Sequence, residues 1–226
     1  MKRIILVLLL LLVCGCSATG FNRGDLRIKM GVSNPTVTDA DIEDALKKKP
    51  NLPKPFKMGV YFKQTGTNWR WTEEDKTELL KIGSELRSEG LDIQIFPILS
   101  QFVPYEDQSL KPIRLAAAKH GADAIMIING IAEVDRYTNN LAWSYILLVT
   151  PFFIPGSEYE VLYLADATMW DVRNEYIYMT TEAEGLIHDS YIPAFKEDDK
   201  NIIQKAKGIA LEKLKTQIKD MLKGVE

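Results

Sequence analysis

Cysteine and histidine are scarce in this chain, two of each, and both cysteines fall inside the first sixteen positions, within Leu11-Leu12-Val13-Cys14-Gly15-Cys16-Ser17. The Cys-x-Cys spacing is too tight for an easy disulfide, and no second pair of Cys or His sits near enough to complete a zinc site. A Gly-x-Ser-x-Gly elbow is missing, and so is a phosphate loop ending Gly-Lys-Ser/Thr, which removes two motifs that mark hydrolases and nucleotide-binding enzymes. Positive charge is also short. With 28 basic residues against 31 acidic ones, the chain has no basic excess with which to hold nucleic acid. The apolar run Ile4 to Val13 falls well short of the ~20 residues that a membrane-spanning helix needs.

That short run is informative for what surrounds it. Lys2 and Arg3 precede it and small residues follow, the layout of a secretory signal peptide. Val13 at −3, Gly15 at −1 and then Cys16 resemble a bacterial lipobox, whereas a cut before Cys14 would put branched Val13 where a small residue is needed. Cys16 is therefore expected to be the lipidated first residue of the mature protein, with residues 1–15 discarded. Acyl chains, at about 0.8 kcal/mol per buried methylene, hold a protein on a membrane without a spanning helix. Ser17 after the cysteine, instead of an aspartate, favours the outer membrane over the inner one. Loss of Lys2 and Arg3 leaves 26 basic residues against 31 acidic ones, a net charge of about −5, which argues against anionic lipid as the main partner.

From Ser17 to Pro55 the sequence is polar and punctuated by Gly and Pro, so residues 16–55 read as a lipidated tether. Thr38 and Asp41 form a capping box and predict one short helix inside it, and the Lys47 to Lys49 run reads as its solvated end. Residues 56–226 read as the folded domain. Alternation of Phe56, Met58, Val60 and Phe62 predicts a strand; a Thr72/Asp75 capping box opens a helix whose stripe is Leu79, Ile82 and Leu86; "LDIQIFPIL" predicts a second strand, broken at Pro97. A helix from about Ser109 to His120 then leads into "ADAIMIING", an apolar run suited to a buried strand. Beyond it, "LAWSYILLVT" and "YEVLYLADATMWD" read as long strands, Val172-Arg173-Asn174 as a tight turn into "EYIYMTT", and about Asp198 to Lys223 as a covering helix. The fold class is α/β: a single domain with a mixed sheet, β-α-β-α-β followed by an antiparallel meander.

Candidate chemistry is thin. His120 sits where a helix end needs its last carbonyls capped. His188 lies near Glu182, Glu184 and Asp189, yet one histidine beside an interrupting Gly185 does not make a metalloprotease pattern. Asn129-Gly130 follows a strand without opening a helix, so it reads as a bend or bulge and not as a dinucleotide fingerprint. No catalytic residue, metal or cofactor is expected. The unusual stretch is "LAWSYILLVTPFFIPG", Leu141 to Gly156, which is almost wholly apolar. It reads first as a core strand running into a packed loop. In a second reading Trp143, Phe152, Phe153 and Ile154 form a docking or membrane-inserting tip, with Pro151 and Pro155 keeping the sheet from pairing around it.

The helix-Gly-Ala-Asp-strand junction in "AAAKHGADAIMIING" is similar to that of the curli-secretion-pore lipoprotein, the lipoprotein activators of penicillin-binding proteins and the amino-terminal domain of the Tol-system propeller protein. "MGVYF", "WSYILLVTPFFIPGSE" and "LADATMWDVRNEYIYMTTEAEG" resemble the rhombotarget lipoproteins over roughly Phe56 to Gly185. The resemblance implies the α/β fold and a periplasm-facing lipoprotein; it brings no reaction and no site residue beyond Cys16. The expectation is a non-enzymatic, outer-membrane-anchored lipoprotein that binds a protein partner in envelope assembly or secretion. The alternatives are a self-assembling ring or pore subunit, and a periplasmic ligand-binding protein or enzyme.

Overall fold

A computed structural model describes residues 20–31 and 38–225. The signal segment and Cys16 lie outside the described residues. Among the described residues, eleven helices and strands carry the fold. Two short helices, α1 (Arg23–Lys29) and α2 (Asp39–Lys47), precede β1 (Phe56–Phe62), α3 (Glu73–Leu80), α4 (Ile82–Ser88), β2 (Ile93–Pro97) and α5 (Leu110–Lys119). Three strands of fifteen residues follow, β3 (Ala124–Thr138), β4 (Ser157–Asp171) and β5 (Ile177–Tyr191), and then α6 (Asp199–Lys223).

The strands form one sheet in the order β2-β1-β3-β4-β5. β2, β1 and β3 are parallel, and β3, β4 and β5 run antiparallel. The first crossover places α3 and α4 on one face. The second passes over β1 and places α5 on the other, as right-handed crossovers in opposite directions require. Parallel strands so covered must be apolar on both faces: Met58, Val60, Met126 and Ile128 pack under α3, α4 and α6, while Tyr61 and Ile125 pack under Ile113, Ala116 and Ala117 of α5.

Both predicted capping boxes are present, at Thr38/Asp41 and Thr72/Asp75. The Leu79, Ile82 and Leu86 stripe is buried although the helix carrying it breaks at Lys81 into α3 and α4. The Val172-Arg173-Asn174 turn is held by fully buried Asp171, which accepts from the amides of Arg173 at 2.7 Å and Asn174 at 3.2 Å and from the Tyr178 hydroxyl at 2.7 Å. α6 crosses the sheet face through Ile202, Ala206, Leu214, Ile218 and Leu222, and its Lys207, 1 % exposed, bonds Asp75 at 2.5 Å and the Arg70 carbonyl at 2.8 Å. Ile209 of the same helix faces outward.

Three sequence expectations are corrected. Asn129 and Gly130 make neither bend nor bulge: β3 runs straight through them, paired with Asp166 and Ala165. The glycine is there because a Cβ would lie 2.3 Å from the hydroxyl of Tyr163, and the Asn129 amide donates to the Met30 carbonyl at 2.9 Å. The run from Leu141 to Thr150 is not a strand, because β3 and β4 already pair along their whole lengths, Ala124 to Asp171 through Thr138 to Ser157. Finally, part of the expected tether is docked. Leu26 and Met30 of the α1 segment are buried against Ile131, Leu162 and Leu164, and Arg23 and Arg27 reach Glu184 and Glu182 of β5 at 2.8 and 2.5 Å.

Candidate functional site: an apolar cap on the β3–β4 hairpin

The connection between β3 and β4 is a self-contained cap built of two 3₁₀ turns, Asn140–Ile146 and Thr150–Phe152. Asn139 closes its base. The Asn139 amide donates to the Gly156 carbonyl at 3.0 Å, and its side chain donates to the Pro155 carbonyl at 3.0 Å and to Glu158 at 2.9 Å. Its side-chain oxygen accepts from the Leu141 amide at 2.9 Å, which starts the first turn.

Inside the cap, polar groups turn inward. The Ser144 hydroxyl donates to the Leu141 carbonyl at 2.7 Å, the Tyr145 hydroxyl to Ile154 at 3.2 Å, and the Thr150 hydroxyl is 2.5 Å from the Ser144 carbonyl. Amides of Leu147, Thr150, Phe153 and Ile154 bond to cap carbonyls at 2.8–3.0 Å. This local closure is why an apolar run forms tight turns here: Ser and Thr offer the backbone an alternative to a sheet ladder.

The apolar groups consequently face out. Trp143 is 66 % exposed, Leu148 86 % and Phe153 76 %, and Leu141, Ile146, Leu147, Val149 and Phe152 are exposed with them. Phe195, on the short turn Pro193–Phe195, lies beside the second cap turn and is also exposed. Between Arg136 and Glu158 the chain has no charged side chain. Exposed large apolar side chains gathered in this number are uncommon on a monomer. The reading of this stretch as core is therefore corrected; of the four residues of the expected tip, Trp143, Phe152 and Phe153 are exposed and Ile154 is half-buried.

Charge gathers below the cap. Glu158 pairs with His188 at 3.1 Å, and the bonds from Asn139 and then His188 hold the Glu158 carboxyl below its ordinary range. His188 also stacks on Tyr137. Arg136 bonds Asp199 at 2.5 Å and lies over the rings of Tyr159 and Tyr191. Of the carboxylates that sequence proximity placed near His188, two are elsewhere: Glu182 and Glu184 serve α1, and Glu184 is about 13 Å along the strand at 3.3 Å per residue. His120, at the opposite end of β3, has its Nδ1 2.8 Å from the Ala116 carbonyl, which is the helix-end contact expected of it. Among the described residues no group of three or more His, Cys, Asp or Glu converges on a point that could hold a metal ion.

A second concave feature lies beside α1, a cleft of about 520 Å³ whose floor includes Asn129, Asp166, Thr168 and Trp170. Burial, with Glu182 across the ladder, pushes the Asp166 carboxyl up to about 6, and Lys63 pulls it back. Nothing in the sequence pointed to Asp166. It is one acid in an alternating strand, and only the pairing with β5 brings Glu182 beside it.

No protein-family model and no curated protein matches the chain. Solved structures similar to it include a neuraminyllactose-binding hemagglutinin homologue from Helicobacter pylori, at 14 % identity over 78 % of this chain and 88 % of that one, with a TM-score of 0.41. Lipoprotein GNA1162 from Neisseria meningitidis matches at 14 % identity over 74 % and 99 %, with a TM-score of 0.36. The LpoB C-terminal domain from Salmonella enterica matches at 10 % identity over 57 % and 81 %, with a TM-score of 0.32. At these scores none of the neighbours' properties passes to this chain.

Proposed function

We propose that this protein is a non-enzymatic accessory lipoprotein of the bacterial envelope, held at the outer membrane through acylated Cys16, facing the periplasm and acting by docking. One observation carries the docking: the uncharged, outward-facing apolar cap of residues 141–153 at the end of a rigid, fully paired hairpin. An enzyme or carrier would place its exposed apolar groups inside a pocket. Here they project, and both histidines are engaged in contacts at opposite ends of the sheet. The lipobox supplies the address, because Val13, Gly15 and Cys16 satisfy its spacing.

The test is photocrosslinking in living cells from positions 143, 152 and 153, with Leu115 of α5, 57 % exposed, as the control. The reading expects adducts to an envelope component from the cap positions and none from position 115. Equal yields at all four positions would refute it.

A further inference from the structure

Resting on that docking reading, we infer that the surface the cap meets is the lipid bilayer itself, the same membrane that holds Cys16, so that the domain stands cap-down on its own anchor. Three observations combine. The first is the inversion of polarity in the cap. Its hydroxyls and many of its amides are bonded within the cap, and between Arg136 and Glu158 it has no charge to present. A protein partner is normally met with about one hydrogen bond per 100–200 Å² of interface, whereas hydrocarbon offers none and tolerates only backbone that is satisfied internally.

The second observation is the direction of α1. Its Met30 end lies at Asn129, Leu26 at Ile131, and Phe21 and Asn22 beside Glu133 and Asp135, so the chain, followed backward, climbs β3 toward the cap. The partners on β5 agree, since Arg27 bonds Glu182 and Arg23 bonds Glu184, one step nearer the cap end. Four residue steps separate Gly20 from Cys16 and span at most about 14 Å when extended. From Val134 to Asn139 the strand covers about 17 Å. Gly20, four residue steps from Cys16, thus lies toward the cap end of a sheet whose long strands measure about 50 Å.

The third is the level at which polarity returns. Arg136, Glu158 and Asp199 form a charged collar directly below the cap, joined by His188, Tyr137, Tyr159 and Tyr191. Tyrosine and charge at that level suit the headgroup zone, with the cap reaching only the shallow acyl region above it. Insertion so driven is apolar and not electrostatic, consistent with a chain that lacks a basic excess.

The protein purified from cells in its processed form and reconstituted into phosphatidylethanolamine-rich vesicles provides the test. Lipids brominated at defined depths quench nearby indoles, and Trp143→Phe isolates the contribution of the cap from Trp69, Trp71 and Trp170. The inference expects Trp143 to be quenched most by bromines near the headgroup, unchanged in high salt, and expects Leu147→Glu with Leu148→Glu to abolish that quenching while the acyl anchor keeps the protein on the vesicle. Because both side chains are exposed, the pair leaves the fold intact, which a circular dichroism melt verifies. Absence of Trp143 quenching, whether or not the protein floats with the vesicles, overturns the inference. If that result came with cellular crosslinks from the cap to a protein or to a second copy, docking would survive and only its lipid partner would fall.

Discussion

Gly185 shows how a single missing side chain fixes the arrangement of two layers. A Cβ there would lie 1.9 Å from the carbonyl oxygen of Ala206, so the backbone of α6 rests directly on β5. Gly185→Ala must push the helix off the sheet along its Ile202, Ala206 and Ala210 contacts. A loss of about 3 kcal/mol in urea unfolding is expected, and a loss under about 1 kcal/mol would mean that the contact yields easily. Asp166 makes a prediction of opposite sign. Its folded pKa of about 6 lies above the ordinary aspartate value, so the folded state binds a proton that the unfolded state releases. The group therefore costs stability above pH 6 and ceases to cost it as pH falls below about 4. Asp166→Asn is expected to raise stability at pH 7.5 by on the order of 2 kcal/mol and to leave it unchanged at pH 4. A melting temperature that rises equally at both pH values would show that the effect is not the titration.

At the scale of elements, regular patterns were legible wherever local chemistry decided the outcome. The two capping boxes, the β1 alternation, the Pro97 break, and α5 with its end at His120 all follow from residues within a few positions of one another. Elements decided by distant partners were not. Leu26 and Met30 are two apolar residues in a polar stretch, and the acids that pair with Arg23 and Arg27 lie more than 150 positions away, so nothing local separates α1 from a tether. Asn129-Gly130 carries a turn signal, but its glycine answers to Tyr163 across the ladder. The apolar Leu141–Thr150 run has strand composition and no strand to pair with. If α1 is an integral element, Leu26→Ala should cost about 3 kcal/mol and act locally, accelerating hydrogen exchange at Arg23–Lys29 before any change in β4. Exchange unchanged in α1 would mean that its docking contributes nothing.

At the scale of the molecule, the sheet acts as a strut. Parallel strands and two-sided helices stiffen one end, and the fifteen-residue antiparallel hairpins carry the cap well away from α5 and the β4–β5 turn. Ion pairs from α6 to α4 and its capping residue, Lys215 with Glu85 and Lys219 and Lys223 with Glu89, each at 2.7 Å, support that strut from one face. A cap on a paired hairpin, with its polar groups closed inward and a charged collar at its base, suits the covered state proposed for it. Each of its large apolar side chains would gain about 1.5–3 kcal/mol on full burial, so leaving eight of them in water would forfeit a substantial free energy.

The most direct measurement of that claim is thiol labelling in the cell. Under the proposed processing, which removes Cys14 with the signal segment and acylates Cys16, a cysteine introduced by Phe153→Cys or by Leu115→Cys is the sole free thiol. A maleimide admitted to the periplasm is predicted to label the α5 position quickly and the cap position only after the envelope is dissolved in detergent. Equal labelling of both in intact envelopes would show the cap standing bare in water and would contradict the account.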